Sequence, residues 1–433
     1  MKGAAAIATA TGVWMLAGAC ASTGAQQPVP GHGQAQQHAG RKAQADAPPA
    51  PAERIEVAPL GYVAPGAFYL TYRLSSTTLH YIDDDRLLFT FRVGGLLRRL
   101  PSDEPDDDDQ QIRAMVLDAH TGRIIRETEW RMHDRAQYLW PFPDGRFVVR
   151  VRDTLYLTDG SLALTPYLAF DTQLRDIQVS PDRRMLLVER DDASRPASAP
   201  ALGDMPLPNG RVKVEIVAAG TRNAVIVSQA DAAVKVPVID GGVLDVMEGG
   251  QMGTYAVRDV PFQGQPKVIA EVKSNCQPSV EPVSASVALV VGCYLEGDDR
   301  PVDAISLDGR DLWRDRWQNK YIWGWFTFAQ NGSRFAYESV QVTHPVSAFD
   351  ALDDTDIAAQ LVGVYDTESG KLVLVRDTSP VLTAGQNAAL SPDGMHFAVL
   401  RNGAIELYDL PPVSPAPARP GQDVAKGKGG GGS

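Results

Sequence analysis

From Ala67 to Leu410, apolar and polar residues alternate in short runs separated by Gly, Asp, Pro and Asn, with no strong amphipathic helical stretch. Alternation with period two marks half-buried β-strands. The chain should therefore be all-β, which excludes most α/β enzyme folds, whose strands alternate with long helices. The clearest unit is Leu390–Leu410. It holds an apolar strand end, the turn Ser391-Pro392-Asp393-Gly394, a strand His396–Leu400, the turn Asn402-Gly403 and a strand Ala404–Asp409.

Degenerate copies of this unit recur when its first turn is aligned along the chain. The turns are Asp83-Asp84-Asp85, Pro143-Asp144-Gly145, Pro181-Asp182-Arg183, Asp240-Gly241-Gly242, Val283-Ser284-Ala285, Gln330-Asn331-Gly332 and Pro392-Asp393-Gly394. Apolar second strands follow at Leu87–Val93, Phe147–Val151, Met185–Val188, Val243–Met247, Val287–Cys293, Arg334–Val340 and His396–Leu400. Third strands come next, and fourth strands in every unit but the last. The turns before several fourth strands carry Gly122, Gly160, Gly309 or Gly370, because tight hairpin turns demand positive φ.

The pattern predicts a single β-propeller of seven four-stranded blades over residues 53–410. One four-stranded sheet cannot bury both faces, and stacking blades around an axis buries each against the next. The seventh unit has only three strands before Pro411-Pro412, whereas Phe68–Leu74 (FYLTYRL) lies ahead of the first unit without a partner. That segment is expected to supply the missing fourth strand and close the ring.

These turns resemble the WD40-like and YVTN-type propeller repeats of bacterial exported proteins, in which SPDG followed by an apolar strand recurs. Ser391-Pro392-Asp393-Gly394, Ser180-Pro181-Asp182 and Phe142-Pro143-Asp144-Gly145 carry the likeness. The Trp-Asp and Gly-His marks of true WD40 repeats are absent. The resemblance implies binding and scaffolding more often than catalysis and assigns no site residues.

The first twenty residues read as a secretion signal: Lys2, an apolar stretch Ala4–Leu16, and Leu16-Ala17-Gly18-Ala19-Cys20, which resembles a bacterial lipobox. Lipidation would fall on Cys20 and anchor the protein to a membrane facing the periplasm or exterior. Cleavage after Ala21 or Ala25, giving a free secreted form, is the alternative. Residues 21–52 are rich in Gln, Ala, Gly and Pro without hydrophobic period, and should form a disordered tether reaching roughly 30 Å. Residues 411–433 are a second low-complexity segment, ending in GGGGS.

Three cysteines leave an odd thiol in an oxidising compartment. Cys276 and Cys293 flank the turn Val283–Ser286 almost symmetrically and are expected to form a disulfide, with two reduced buried thiols as the alternative. Cys20 would then remain for the lipid.

A net charge of −12 argues against a nucleic-acid partner. Three insertions, Gly94–Gln111, Asp191–Gly210 and Thr343–Ala359, all fall between second and third strands, so a propeller would place them on one face. Two are acidic, and Asp106, Asp107, Asp108, Asp353, Asp354 and Asp356 mark a candidate binding face. Such carboxylates suit Ca²⁺ in kind, but they lack the fixed ligand spacing of an EF-hand, and solvated acidic loops are the plainer reading. Trp323 and Trp325, in the aromatic run Tyr321–Phe328, either present rings to a ligand or pack between blades.

The sequence holds no G-x-S-x-G, H-E-x-x-H, phosphate loop or G-x-G-x-x-G, and its histidines are scattered. No catalytic, cofactor or metal residue is assigned. The expected function is a non-enzymatic cell-envelope binding or scaffold module, with an unidentified protein or small ligand as partner. A periplasmic propeller enzyme, lactonase-like or quinone-dependent, is the runner-up; it would need polar or metal ligands converging at a channel mouth.

Overall fold

The computed structural model describes residues 49–66, 74, 76–95, 97–101, 103, 109–133, 137–192, 211–230, 234, 236–292, 299–318, 321–344, 353, 355–382 and 384–413. Side chains at 299, 318 and 321–324 are outside that description.

Strand β1 (Glu53–Glu56) precedes the repeats. Blade 1 is β2 (Thr77–Tyr81), β3 (Arg86–Val93), β4 (Gln110–Asp118) and β5 (Ile124–Met132). Blade 2 is β6 (Leu139–Pro141), β7 (Phe147–Val151), β8 (Thr154–Thr158) and β9 (Thr165–Ala169). Blade 3 is β10 (Leu174–Val179), β11 (Met185–Asp191), β12 (Val212–Ala218) and β13 (Ala224–Ala230). Blade 4 is β14 (Val238–Ile239), β15 (Gly242–Glu248), β16 (Thr254–Pro261) and β17 (Lys267–Lys273). Blade 5 is β18 (Ser279–Pro282), β19 (Val287–Val291), β20 (Asp299–Ser306) and β21 (Asp311–Gln318). Blade 6 is β22 (Tyr321–Phe328), β23 (Arg334–Val342), β24 (Ile357–Asp366) and β25 (Leu372–Asp377). Blade 7 is β26 (Ala388–Leu390), β27 (His396–Arg401) and β28 (Ala404–Asp409), completed by β1.

Each blade is a separate four-stranded antiparallel sheet, and the protein is a seven-bladed β-propeller. All seven turns aligned in the sequence join the first and second strands of a blade. The core is divided by the same geometry. Seven hydrophobic layers lie between blades, and side chains alternating along one strand feed two of them. Leu87 and Phe89 join the layer facing blade 7, while Leu88 between them joins the layer facing blade 2. The remaining layers join blades 2 and 3, 3 and 4, 4 and 5, 5 and 6, and 6 and 7. Every sheet thus has both faces covered, as an open row of sheets could not.

The closing strand corrects one expectation. Glu53–Glu56, rather than Phe68–Leu74, lies antiparallel to β28, with Ile55 opposite Ile405 and Glu53 opposite Leu407. An outermost strand needs little apolar surface. Glu53, Arg54 and Glu56 are exposed, and Ile55 alone enters the layer between blades 7 and 1. The run FYLTYRL has the more apolar pattern, but all of it except Leu74 lies outside the described residues. Arg54 adds a 2.7 Å ion pair to Glu406, which also accepts a 2.6 Å hydrogen bond from Tyr408.

The β18–β19 ladder pairs Ser279 with Val291 and goes no further. Cys276 is exposed in the bend before β18, and Cys293 lies outside the described residues, as does Cys20.

Candidate functional site

Topology separates two faces. First-to-second and third-to-fourth turns emerge on one, called the turn face. Second-to-third connections and the links between blades emerge on the other, called the loop face, and it carries all three insertions.

On the loop face the first insertion folds back onto the end of β5. Arg131 donates from Nη2 to Asp103 Oδ2 at 2.5 Å, from Nε to Asp109 Oδ2 at 2.9 Å and from Nη1 to the Arg98 carbonyl at 3.0 Å. His133 Nδ1 lies 2.8 Å from Asp109 Oδ1, and Arg152 of the β7–β8 turn lies 3.2 Å from the same ring nitrogen. Ligand-type atoms of Asp103, Asp109 and His133 fall within 4.8 Å of one another, a donor set suited to a divalent cation. Arg131 already bridges the two carboxylates, however, so a guanidinium supplies the neutralising charge. The arrangement fastens the acidic insertion between blades 1 and 2. Sequence reasoning passed over His133, which joins Asp109 only because β5 ends on the face where the β3–β4 connection begins.

The other marked carboxylates are placed less uniformly. Asp106, Asp107, Asp108 and Asp354 lie outside the described residues. Asp353 Oδ1 accepts from the Thr355 amide at 2.7 Å and hydroxyl at 2.6 Å, and these bonds hold its carboxyl below the usual carboxylate range. Asp356 accepts from the Asp353 amide at 2.9 Å and pairs with His344 at 2.8 Å. These bonds order the third insertion internally. No hydrogen bond or ion pair joins Asp353 or Asp356 to the Asp103–Asp109 cluster among the described residues.

Trp325 is half-buried on β22 opposite Glu338. Trp323 sits on the same strand, where pairing with β23 shifts register between Tyr321 and Gly324. The other side of β22 packs between blades: Phe326 lies 5.0 Å from Tyr337 and 6.3 Å from Trp317 between ring centroids.

The turn face has a different chemistry. In blade 7 Ser391 Oγ donates to Asp393 Oδ1 at 2.5 Å, Asp393 Oδ1 accepts from the Met395 amide at 2.8 Å, and Gly394 turns with φ 73°. Blade 3 repeats these bonds through Ser180, Asp182 and the Arg184 amide, but its turning residue is Arg183, with φ 64°. Arg183 is 6% exposed and donates from Nη1 to Gln330 Oε1 at 3.4 Å, in the first turn of blade 6. Blades 3 and 6 lie on opposite sides of a seven-membered ring, so this side chain crosses the axis. Burial lowers its pKa to about 10. His80, on the inner strand of blade 1, is buried against Phe147, and its Nε2 has no hydrogen-bond partner. Burial, reinforced by the Arg183 charge, pushes its pKa down to about 3 and keeps the ring neutral. The turn face also holds a cavity of about 420 Å³ whose lining includes Pro181, Ser284, Ser286, Gln330, Ser333 and the carboxylate-bearing Glu368.

No protein-family model matches the chain, and no curated protein matches it. Solved structures of similar fold include an acylaminoacyl peptidase in complex with Z-Gly-Gly-Phe-chloromethyl ketone, at 10% identity and TM-score 0.45 over 79% of this chain and 52% of that one. The uncomplexed Pyrococcus horikoshii acylaminoacyl peptidase is similar at 9% identity and TM-score 0.47, over 80% of this chain and 52% of that one. A putative TolB from Agrobacterium tumefaciens is similar at 13% identity and TM-score 0.37, over 66% of this chain and 95% of that one. This chain therefore spans about half the length of the peptidases. At these identities and scores, neither an activity nor a family passes to it.

Proposed function

We propose that this protein is a non-enzymatic binding module of the bacterial cell envelope, exported, anchored by a lipid on Cys20, and presenting its loop face to a protein or small ligand. The observation that carries this reading is the placement of the connections 94–109, 192–211 and 343–356 on one face of a closed ring. A rigid scaffold with long connections gathered on one side is how binding surfaces are commonly built. The lipobox-like Leu16–Cys20 and the tether at 21–52 support the anchor, which would hold the ring clear of a membrane. In an oxidising compartment Cys276 and Cys293 would pair as a disulfide, leaving Cys20 for the lipid.

Two variants test the reading in the native host. Replacing the three connections with short turns should leave the melting temperature within a few degrees while abolishing crosslinks to the partner formed in intact cells. Unchanged crosslinks would refute the loop face. Replacing Cys20 by Ser should move the protein from the detergent phase to the aqueous phase, and retention in detergent would refute the anchor.

A further inference from the structure

We infer that the turn-face cavity is the seat of this chain's own residues 414–420, which cross the turns of blades 5 and 6 as a strap with Arg419 against Glu368. The inference is independent of the binding role of the loop face and concerns the opposite side of the ring.

The path of the chain points to this occupant. Beyond β28 the Leu410 amide donates to the Met395 carbonyl at 2.8 Å, and Arg334, at the start of β23, donates to the Pro411 carbonyl. These bonds hold the outgoing chain against blade 6. Val413 then lines the cavity itself, together with Ser284 and Ser286 of the blade 5 turn, Gln330 and Ser333 of the blade 6 turn, and Glu368. The residues that follow start at the cavity wall. Their docking is intramolecular, so weak contacts suffice to hold them.

Segment and cavity match in chemistry. Residues 414–420 read Ser-Pro-Ala-Pro-Ala-Arg-Pro. Alternating prolines favour the extended polyproline form, which has little ordering entropy left to lose and carries carbonyls free to accept hydrogen bonds. Ser284, Ser286 and Gln330 offer hydroxyl and amide donors around the 420 Å³ space. Ser284 Oγ already accepts the Val287 amide at 3.0 Å, which leaves its proton to donate. Glu368 is the only charged residue of the lining; it is exposed and makes no hydrogen bond or ion pair among the described residues. Asp366 and Asp308, by contrast, are paired with Arg334 and Arg310. Residues 414–433 carry Arg419, Lys426 and Lys428 against Asp423 alone, so the segment complements a carboxylate left without a partner. Arg419 stands six residues beyond Val413, a reach of at most roughly 20 Å in the extended form, enough to cross the cavity.

Thiol labelling of the full chain tests the strap. Ser286 is exposed on the blade 5 turn, so Ser286→Cys places a probe at the cavity wall, and its reaction with a maleimide is read at that residue by mass spectrometry. Replacing residues 414–420 by a Gly-Ser run of equal length should speed labelling about fivefold or more, the factor for a segment held closed by about 1 kcal/mol. Glu368→Arg should speed it about threefold or more, and combining it with Arg419→Glu should return the slow rate. Rescue by the double exchange separates the strap from any loss of fold. Equal rates in the parent and the Gly-Ser chain would overturn the inference. An unchanged rate in Glu368→Arg, or a double exchange that stays fast, would overturn the contact with Arg419.

Discussion

Arg334 and Asp366 form an ion pair almost wholly sealed from solvent, Nε to Oδ1 at 2.9 Å, with side chains 0% and 1% exposed. The same guanidinium donates from Nη1 to the Gly394 carbonyl at 2.6 Å and from Nη2 to the Pro411 carbonyl. One side chain at the start of β23 therefore ties blade 6 to the turn of blade 7 and to the chain leaving it. Its charge is neutralised and its donors are used, the condition under which a buried arginine is tolerated.

Arg334→Ala should destabilise the protein by about 3–5 kcal/mol, because Asp366 would keep a buried charge without its counterion. Urea unfolding at neutral pH measures this. A loss below about 1 kcal/mol would mean that water or another cation replaces the guanidinium.

Ring closure makes a second prediction. Deleting residues 1–48 should leave the melting temperature unchanged, whereas deleting residues 1–57 removes β1 and bares the edge of β28. The longer deletion should melt lower and self-associate through the exposed edge, seen by light scattering. Equal, monodisperse behaviour of the two would show that another segment closes the ring.

Stability should also depend on pH through three groups shifted by burial, with the carboxyls of Glu338 and Glu281 opposing His80; burial pushes Glu281 up to about 7. Burial pushes the Glu338 carboxyl up to about 8, a shift only partly opposed by its 2.6 Å hydrogen bond from Gln360. Its contribution is full below the unfolded carboxylate range and is lost as pH rises toward 8. His80, held neutral down to about 3, contributes above the ordinary histidine range, and that contribution is lost as pH falls. Between about pH 4.5 and 6.5 His80 offsets one of the two carboxyls, so stability falls there with the slope of a single group. From about pH 7 to 8, where Glu338 alone of the three still titrates, stability should fall by on the order of 1 kcal/mol per unit, and Glu338→Gln should flatten that slope. An unchanged slope in the variant would move the titration elsewhere.

The proposed disulfide gives a fourth prediction. Peptide mapping of protein from the native host without reductant should recover Cys276 linked to Cys293, and reduction should separate them. Recovery of two alkylated thiols before reduction would refute the pairing.

The parts of the fold governed by alternation and turn chemistry were legible in the residues. Asp83–Asp85, Pro143–Gly145 and the five other turns each need a residue that bends the chain, and each falls where a blade begins. Closure was harder to read, because Ile55 alone among Glu53–Glu56 faces the core and a strand paired on one side carries no strong period. Candidate sites were harder still. Asp109 meets His133, and Arg183 meets Gln330, only because the ring brings together residues 24 and 147 positions apart. Arg183 did leave one mark: a bulky cation where the matching turns have Gly332 and Gly394.

Strand β1 is the first piece of the ring to be synthesised, yet Arg54 and its partner Glu406 are separated by 352 positions. It must wait unpaired until nearly the whole chain has left the ribosome, and blade 7 cannot be completed earlier. A product cut short anywhere before β28 would be an open crescent with two raw edges, so assembly of the last blade acts as a check on full-length translation.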